Sequence, residues 1–250
     1  MKKLLYKAFE NKTDSLYHKV NDMLAIVILI AVGLIIAESV ESVGVKYKSF
    51  FEVSEWVIVV IFTLEYLLYI YLAKSRTHYL FSFFGIIDFL AIMPTYAGLF
   101  LPALVAFSGL RVLRVVRILR LLRIFRMVKL LRYSHGAKGR RKITEGIAFT
   151  NMEIYFFALF SLVVIAGTLM HLVEGNVGGT AFIDIPAGMW WAIVTLTTVG
   201  YGDMVPQTGL GKVIAGVTMV AGLSMFAILI SVMGRMMQNV LFGGSVESKE

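Results

Sequence analysis

Between Arg111 and Arg132 the chain reads RVLRVVRILRLLRIFRMVKLLR, with a cation at every third position: Arg111, Arg114, Arg117, Arg120, Arg123, Arg126, Lys129 and Arg132. Nearly every residue between them is Leu, Val, Ile, Phe or Met. In water the apolar pairs would be exposed, and at a bilayer centre each cation costs about 2.5–3.5 kcal/mol. A segment suited to neither solvent must be accommodated by other parts of the same chain.

The surroundings on offer are apolar. Of the 250 residues, 58% are hydrophobic and 16% charged. Uninterrupted apolar runs of about 20 residues, enough to cross a hydrocarbon core of roughly 30 Å, recur along the chain and mark a multi-span, all-α membrane protein. Lys and Arg total 24 and eight of them belong to the ladder, leaving 16 cations against 16 acids, so the net charge of +8 comes from that one segment. A nucleic-acid or anionic-lipid role for these cations is the rival reading. Apolar spacing between them, with no soluble domain to present them, argues against nucleic acid. The absence of cysteine excludes disulfides and thiolate metal sites. Four scattered histidines (His18, His78, His135, His171) and no nucleophile–base pair give an enzyme reading nothing to rest on. His171 reads as structural in preference to a pH sensor. No organic cofactor is expected.

Six spans are expected. The first covers about Val20 to Val40. The second covers about Val53 to Ala73 and carries Glu55 and Glu65. The third, about Leu80 to Ala97, carries Asp88 and is expected to kink or end at Pro94, followed by an uncharged loop through Pro102 and Gly109. The ladder is the fourth, Asn151 to Val173 the fifth, and Gly209 to Leu241 the last. Loop cations (five lysines between positions 2 and 19, then Lys74, Arg76, Lys138, Arg140, Arg141 and Lys142) fall on one side, which places both termini in the cytoplasm. The N-terminus, which lacks a long apolar region and a cleavage site, reads as a basic lead-in and not a signal peptide. Ile185 to Thr197 is too short to cross and is expected to enter and return, which implies a pore.

After that short piece comes Thr198-Val199-Gly200-Tyr201-Gly202. Its two glycines relieve steric limits on the backbone, so that successive carbonyls can face one axis and replace an ion's hydration shell. TVGYG is the filter sequence of potassium channels, a match of sequence and not a deduction from spacing. The run IPAGMWWAIVTLTTVGYGDMVP, residues 185 to 206, resembles the pore loop of voltage-gated potassium channels, and the six-span order resembles that family from end to end. The resemblance implies K+ binding at Thr198, Val199, Gly200 and Tyr201, and four such rows in a homotetramer. It also implies a supporting cuff of Trp190, Trp191, Tyr201 and Asp203, with Thr197 beside the filter. Without the family, two tryptophans near an interface read equally well as headgroup anchors.

The same resemblance implies that the eight ladder cations are gating charges, and that Phe62, Glu65 and Asp88 form a charge-transfer site, joined by Glu55. Spacing agrees: Phe62 and Glu65 are three apart and Glu55 and Phe62 seven, so they share a helical face. A lipid-facing aromatic is the plain alternative for Phe62. The ladder's usual series in the family matches Arg117 to Arg132, so Arg111 and Arg114 are extra at the outer end. A regular α-helix would carry three-spaced cations around its axis, whereas a 3₁₀ helix aligns them, so a 3₁₀ stretch is expected within residues 114 to 126.

These readings divide the chain into a lead-in (1–19), a voltage-sensor domain (20–132), an interfacial linker helix (133–149), a pore domain (150–241) and a tail (242–250). The linker is expected to press on the inner ends of the last span. Gly222 is the candidate hinge, with close helix contact as an equally good reading. The tail is expected to be too short for a ligand-binding domain, and no large tetramerisation domain is expected ahead of the first span. Together they describe a K+ channel in the cell membrane, opened by voltage, with a hyperpolarisation-activated or weakly coupled channel as the alternative.

Overall fold

The computed structural model describes residues 15–73, 75–108, 122–129 and 146–242, all helical or in short connections. Arg111, Arg114, Arg117, Arg120 and Arg132, most of the lead-in, most of the linker and the tail lie outside them. The elements are α1 (Ser15–Ser39), α2 (Glu41–Lys46), α3 (Lys48–Leu72), α4 (Arg76–Leu80), α5 (Phe83–Ser108), a 3₁₀ helix (Leu122–Lys129), α6 (Gly146–Glu174), α7 (Ile185–Leu196) and α8 (Gly209–Phe242). Among the described residues four helices are long and apolar enough to cross a membrane: Ser15–Ser39, Lys48–Leu72, Tyr155–Glu174 and Gly209–Gly234. Shorter apolar helical stretches are Phe83–Gly98 and Ile185–Leu196.

The third span requires a correction. Pro94 does not end its helix, and Pro102 does not lie in a loop: α5 continues through both to Ser108. Proline removes one amide hydrogen and crowds the carbonyl four residues back. In apolar surroundings, however, every other backbone group still needs an internal partner, so continuing the helix costs less than unwinding it. Arg76–Leu80 forms a short helix whose start is capped by the Ser75 hydroxyl, accepting from the His78 amide. A 3₁₀ helix is present at Leu122–Lys129, overlapping the expected stretch over residues 122–126, while residues 114–121 lie outside the described ones.

Two compact units result. One holds α1 to α5 and the 3₁₀ helix, with Ile183–Pro186; the other holds α6, the rest of α7 and α8. In the first, α1 buries Tyr17, Asn21, Leu24, Ile28, Ala31, Val32 and Ile35, a stripe at helical spacing. Its interior also contains Glu65, Asp88, Arg126 and Lys129, while Met23, Ile26, Ile30, Val57, Val60, Leu64 and Phe89 face outward. Charges inside and apolar side chains outside reverse the pattern of a water-soluble domain, as a lipid surround requires.

In the second unit, α6, α7 and α8 enclose a core of Val163, Ala166, Met170, Phe182, Trp191, Ala192, Leu196 and Ala215. The helices approach closely where side chains are missing. A Cβ on Gly167 would lie 2.6 Å from the Met189 amide nitrogen, and one on Gly222 would lie 2.8 Å from the Leu196 carbonyl oxygen. Gly222 thus meets the end of the short helix that precedes Thr198–Gly202, and α8 runs unbroken past it.

Candidate functional site

In the first unit, α3 presents Glu55, Phe62 and Glu65 along one face, α5 presents Asp88, and the 3₁₀ helix brings Arg123, Arg126 and Lys129 against them. Phe62 is fully buried. Lys129 Nζ lies 2.6 Å from Glu65 Oε2, 3.1 Å from Asp88 Oδ1 and 4.3 Å from the centre of the Phe62 ring. Two turns back along α3, Arg126 donates through Nη2 to Glu55 Oε1 at 2.7 Å and through Nη1 to Glu55 Oε2 at 3.1 Å. Its guanidinium carbon is 5.5 Å from the same ring. Arg123 follows, 3.3 Å from Glu55 and 3.7 Å from Glu38. Lys129 therefore lies on Glu65 and Asp88 while Arg126 and Arg123 share Glu55, with the Phe62 ring near both Lys129 and Arg126. All four residues assigned to the charge-transfer site by resemblance are brought together here.

Several participants were not singled out in the sequence. The Thr95 hydroxyl donates to Glu55 Oε1 at 2.6 Å, and the Tyr79 hydroxyl donates to Asp88 Oδ2 at 2.6 Å. Arg126 Nε donates to the Ala91 carbonyl at 3.0 Å. Hydroxyls and carbonyls carry no signal in hydropathy, so nothing in the pattern marks them. Glu38, near the end of α1, is a further acid that faces the ladder, through Arg123.

In the second unit the Thr198–Gly202 segment follows the C-terminal end of α7, where the Val194 carbonyl accepts from the Val199 and Gly200 amides. Thr198, Gly200 and Gly202 have φ of 61°, 59° and 81°, with Val199 and Tyr201 between them outside the positive region. This alternation turns successive carbonyls toward one side. Thr198 holds a left-handed conformation without glycine's freedom, a strain of order 1–3 kcal/mol. Trp190 donates from Nε1 to Asp203 at 2.9 Å and stacks on Tyr201 with ring centres 5.9 Å apart. Trp191 turns the other way, into the core, with its ring edge-on to Phe182. The Thr197 hydroxyl donates to the Ile193 carbonyl of its own helix. Val199 and Tyr201 are exposed along this single chain.

Glu174, also missed in the sequence, clamps the far side. Buried at the end of α6, it accepts from the Gln207 and Thr208 amides at 3.0 Å and from the Thr208 hydroxyl. Thr208 in turn accepts from the Gly211 amide and so caps α8. His171 Nδ1 lies 2.9 Å from the Phe182 carbonyl, a structural placement.

The family model described as ion transport protein matches residues 19–241. A Rhodopseudomonas palustris protein provisionally named as a potassium channel is 33% identical over 89% of this chain and 54% of its own length. The Drosophila melanogaster potassium voltage-gated channel protein Shal is 39% identical over 76% of this chain and 32% of its own. The human A-type voltage-gated potassium channel KCND3 is 34% identical over 91% and 36%. The chain thus spans about a third to a half of the length of these relatives. With its apolar spanning helices, the chain is a multi-pass membrane protein and belongs to the ion transport protein family.

Proposed function

We propose that this chain is one subunit of a voltage-gated, potassium-selective channel: a homotetramer in the cell membrane, both termini cytoplasmic, that conducts K+ passively without covalent chemistry. Residues 20–132 act as the sensor, 133–149 as the link and 150–241 as the pore. The observation that carries the reading is the placement of Arg126 and Lys129 on separate acids with the Phe62 ring in contact with both. A ring there divides two polar compartments, and a cation that moves from one to the other crosses much of the potential drop over a short distance.

The energy available is sufficient. One elementary charge carried across the full potential changes the free energy by about 2.3 kcal/mol per 100 mV, so three to four per subunit in a tetramer give on the order of 30 kcal/mol. Four copies of the Thr198–Gly202 row, facing a common axis, supply the carbonyl cage for K+, the cargo. Positive loop charge supports the orientation, and the names of the relatives support the ion and the stimulus. The exposed apolar face of α8, including Val213, Val217, Val220 and Leu223, is available to neighbouring subunits and lipid.

The test is flux into liposomes holding the purified protein, with the potential set by a K+ gradient and ionophore. Rubidium uptake that switches with the sign of the potential supports the reading. Uptake identical at both signs removes the voltage dependence, and sodium uptake equal to rubidium removes the selectivity. A switch of opposite sign identifies a hyperpolarisation-activated channel.

A further inference from the structure

Arg126 is held by three acceptor atoms, and one of them belongs to the backbone of α5. Its guanidinium donates from Nη1 and Nη2 to the two oxygens of Glu55, and from Nε to the carbonyl of Ala91 at 3.0 Å. Both Arg126 and Ala91 are fully buried. The proline that α5 carries without breaking lies three residues beyond, at Pro94. Having no amide hydrogen, Pro94 leaves the Leu90 carbonyl, next to that of Ala91, without its helical donor, and its ring crowds that turn. A carbonyl oxygen has two lone pairs, so the Ala91 carbonyl can serve a side-chain donor as well as the helix. On the other side of Pro94, Thr95 donates to Glu55 Oε1 at 2.6 Å and sets the carboxylate plane. Tyr96 meets Thr63 at 3.0 Å and ties the same turn to α3.

We propose that the Pro94 turn makes the Glu55 level a guanidinium-selective station: Ala91 carbonyl and Glu55 carboxylate together read the planar three-donor edge of arginine, which lysine does not have. A guanidinium presents its donors in a fixed fork, while an ammonium is a compact point charge. The level below is built differently, from two acids and a ring face, and holds Lys129. The ladder's single lysine is thereby kept off the Glu55 level in the state described, and arginines dwell there as they pass. Ala91, Pro94 and Thr95 are positioning residues. This inference rests on the reading of the ladder as a moving sensor.

The experiment uses the full chain in voltage-clamped cells, with sensor charge movement recorded, and the same variants purified in detergent for thermal unfolding. Arg126→Lys keeps the charge and removes the fork. Replacing the Ala91–Ile92 amide by an ester weakens the carbonyl without altering any side chain. Each is expected to lower the population of the described state about tenfold at a given voltage, with total charge moved unchanged. The two together are expected to do no more than Arg126→Lys alone, because that substitution already removes the Nε donor to Ala91. Arg123→Lys, whose contacts to Glu55 and Glu38 are plain ion pairs, is expected to shift it far less. In detergent, Arg126→Lys should unfold at lower temperature than Arg123→Lys. Additive effects of the ester and Arg126→Lys, or equal behaviour of the two lysine variants, overturn the proposal. If the unaltered chain moves no charge, the sensor reading fails, and the unfolding comparison still decides whether the station selects arginine.

Discussion

Lys129 Nζ sits 4.3 Å from the centre of the Phe62 ring while bonded to Glu65 at 2.6 Å, with all three side chains buried. A buried ammonium is tolerable only because the ring face and two carboxylates replace its water.

The ring's own share is measurable. Phe62→Leu keeps most of the volume and removes the quadrupole, and should weaken the Lys129 position by about 0.5–2 kcal/mol. Phe62→Ala adds a cavity and should cost about 3–5 kcal/mol in stability. Charge–voltage curves and unfolding temperatures of the two variants separate these contributions. Identical curves for Leu and Phe would show that the ring acts only by bulk.

Glu65→Gln leaves Lys129 with one carboxylate partner in a dry interior. Breaking a buried pair in this way costs about 3–5 kcal/mol. Pairing Glu65→Gln with Lys129→Met should not recover that loss in unfolding experiments, since Asp88 then stays buried without the cation it faces at 3.1 Å. Tyr79→Phe removes the hydroxyl donated to Asp88 and should cost about 1.5–3 kcal/mol, as for a hydrogen bond to a charged group.

At the filter, Trp190→Phe keeps a ring to stack on Tyr201 but loses the Nε1 donor to Asp203. Channels bearing it should lose conduction sooner during a sustained opening, while charge movement stays normal. Single-channel open times read this directly. Unchanged open times would mean that the hydrogen bond does not hold the filter in shape.

Glu174 accepts from three donors at the start of α8. Glu174→Gln places an amide donor against those N–H groups and should destabilise the pore unit by about 2–4 kcal/mol. The readout is the unfolding temperature. Glu174→Gln should be nearly as damaging as Glu174→Ala; a wild-type-like Gln variant would show that charge and acceptor count are unimportant there.

What could be read from the sequence follows from which interactions leave a periodic mark. Glu55, Phe62 and Glu65 share a face by spacing alone, and a 3₁₀ segment follows from cations three apart, so the buried relay was legible before any coordinates. Its register was not: the 3₁₀ helix extends to Lys129 because the deepest acids lie there. Pro94 misled, since a proline reads as a helix end where solvent can satisfy freed carbonyls, and α5 instead directs Arg126 to one of the carbonyls of that turn. Thr95 and Tyr79 act through single hydroxyls and Glu174 through its two carboxylate oxygens, on partners 9 to 40 residues away, a relation that no local pattern records.

The central claim is tested most directly by recording purified protein in a planar bilayer with K+ on one side and Na+ on the other, while stepping the voltage through both polarities. The account predicts a current that turns on steeply with one polarity and reverses close to the K+ equilibrium potential. A current that is linear through both polarities, or that reverses midway between the K+ and Na+ potentials, would contradict it.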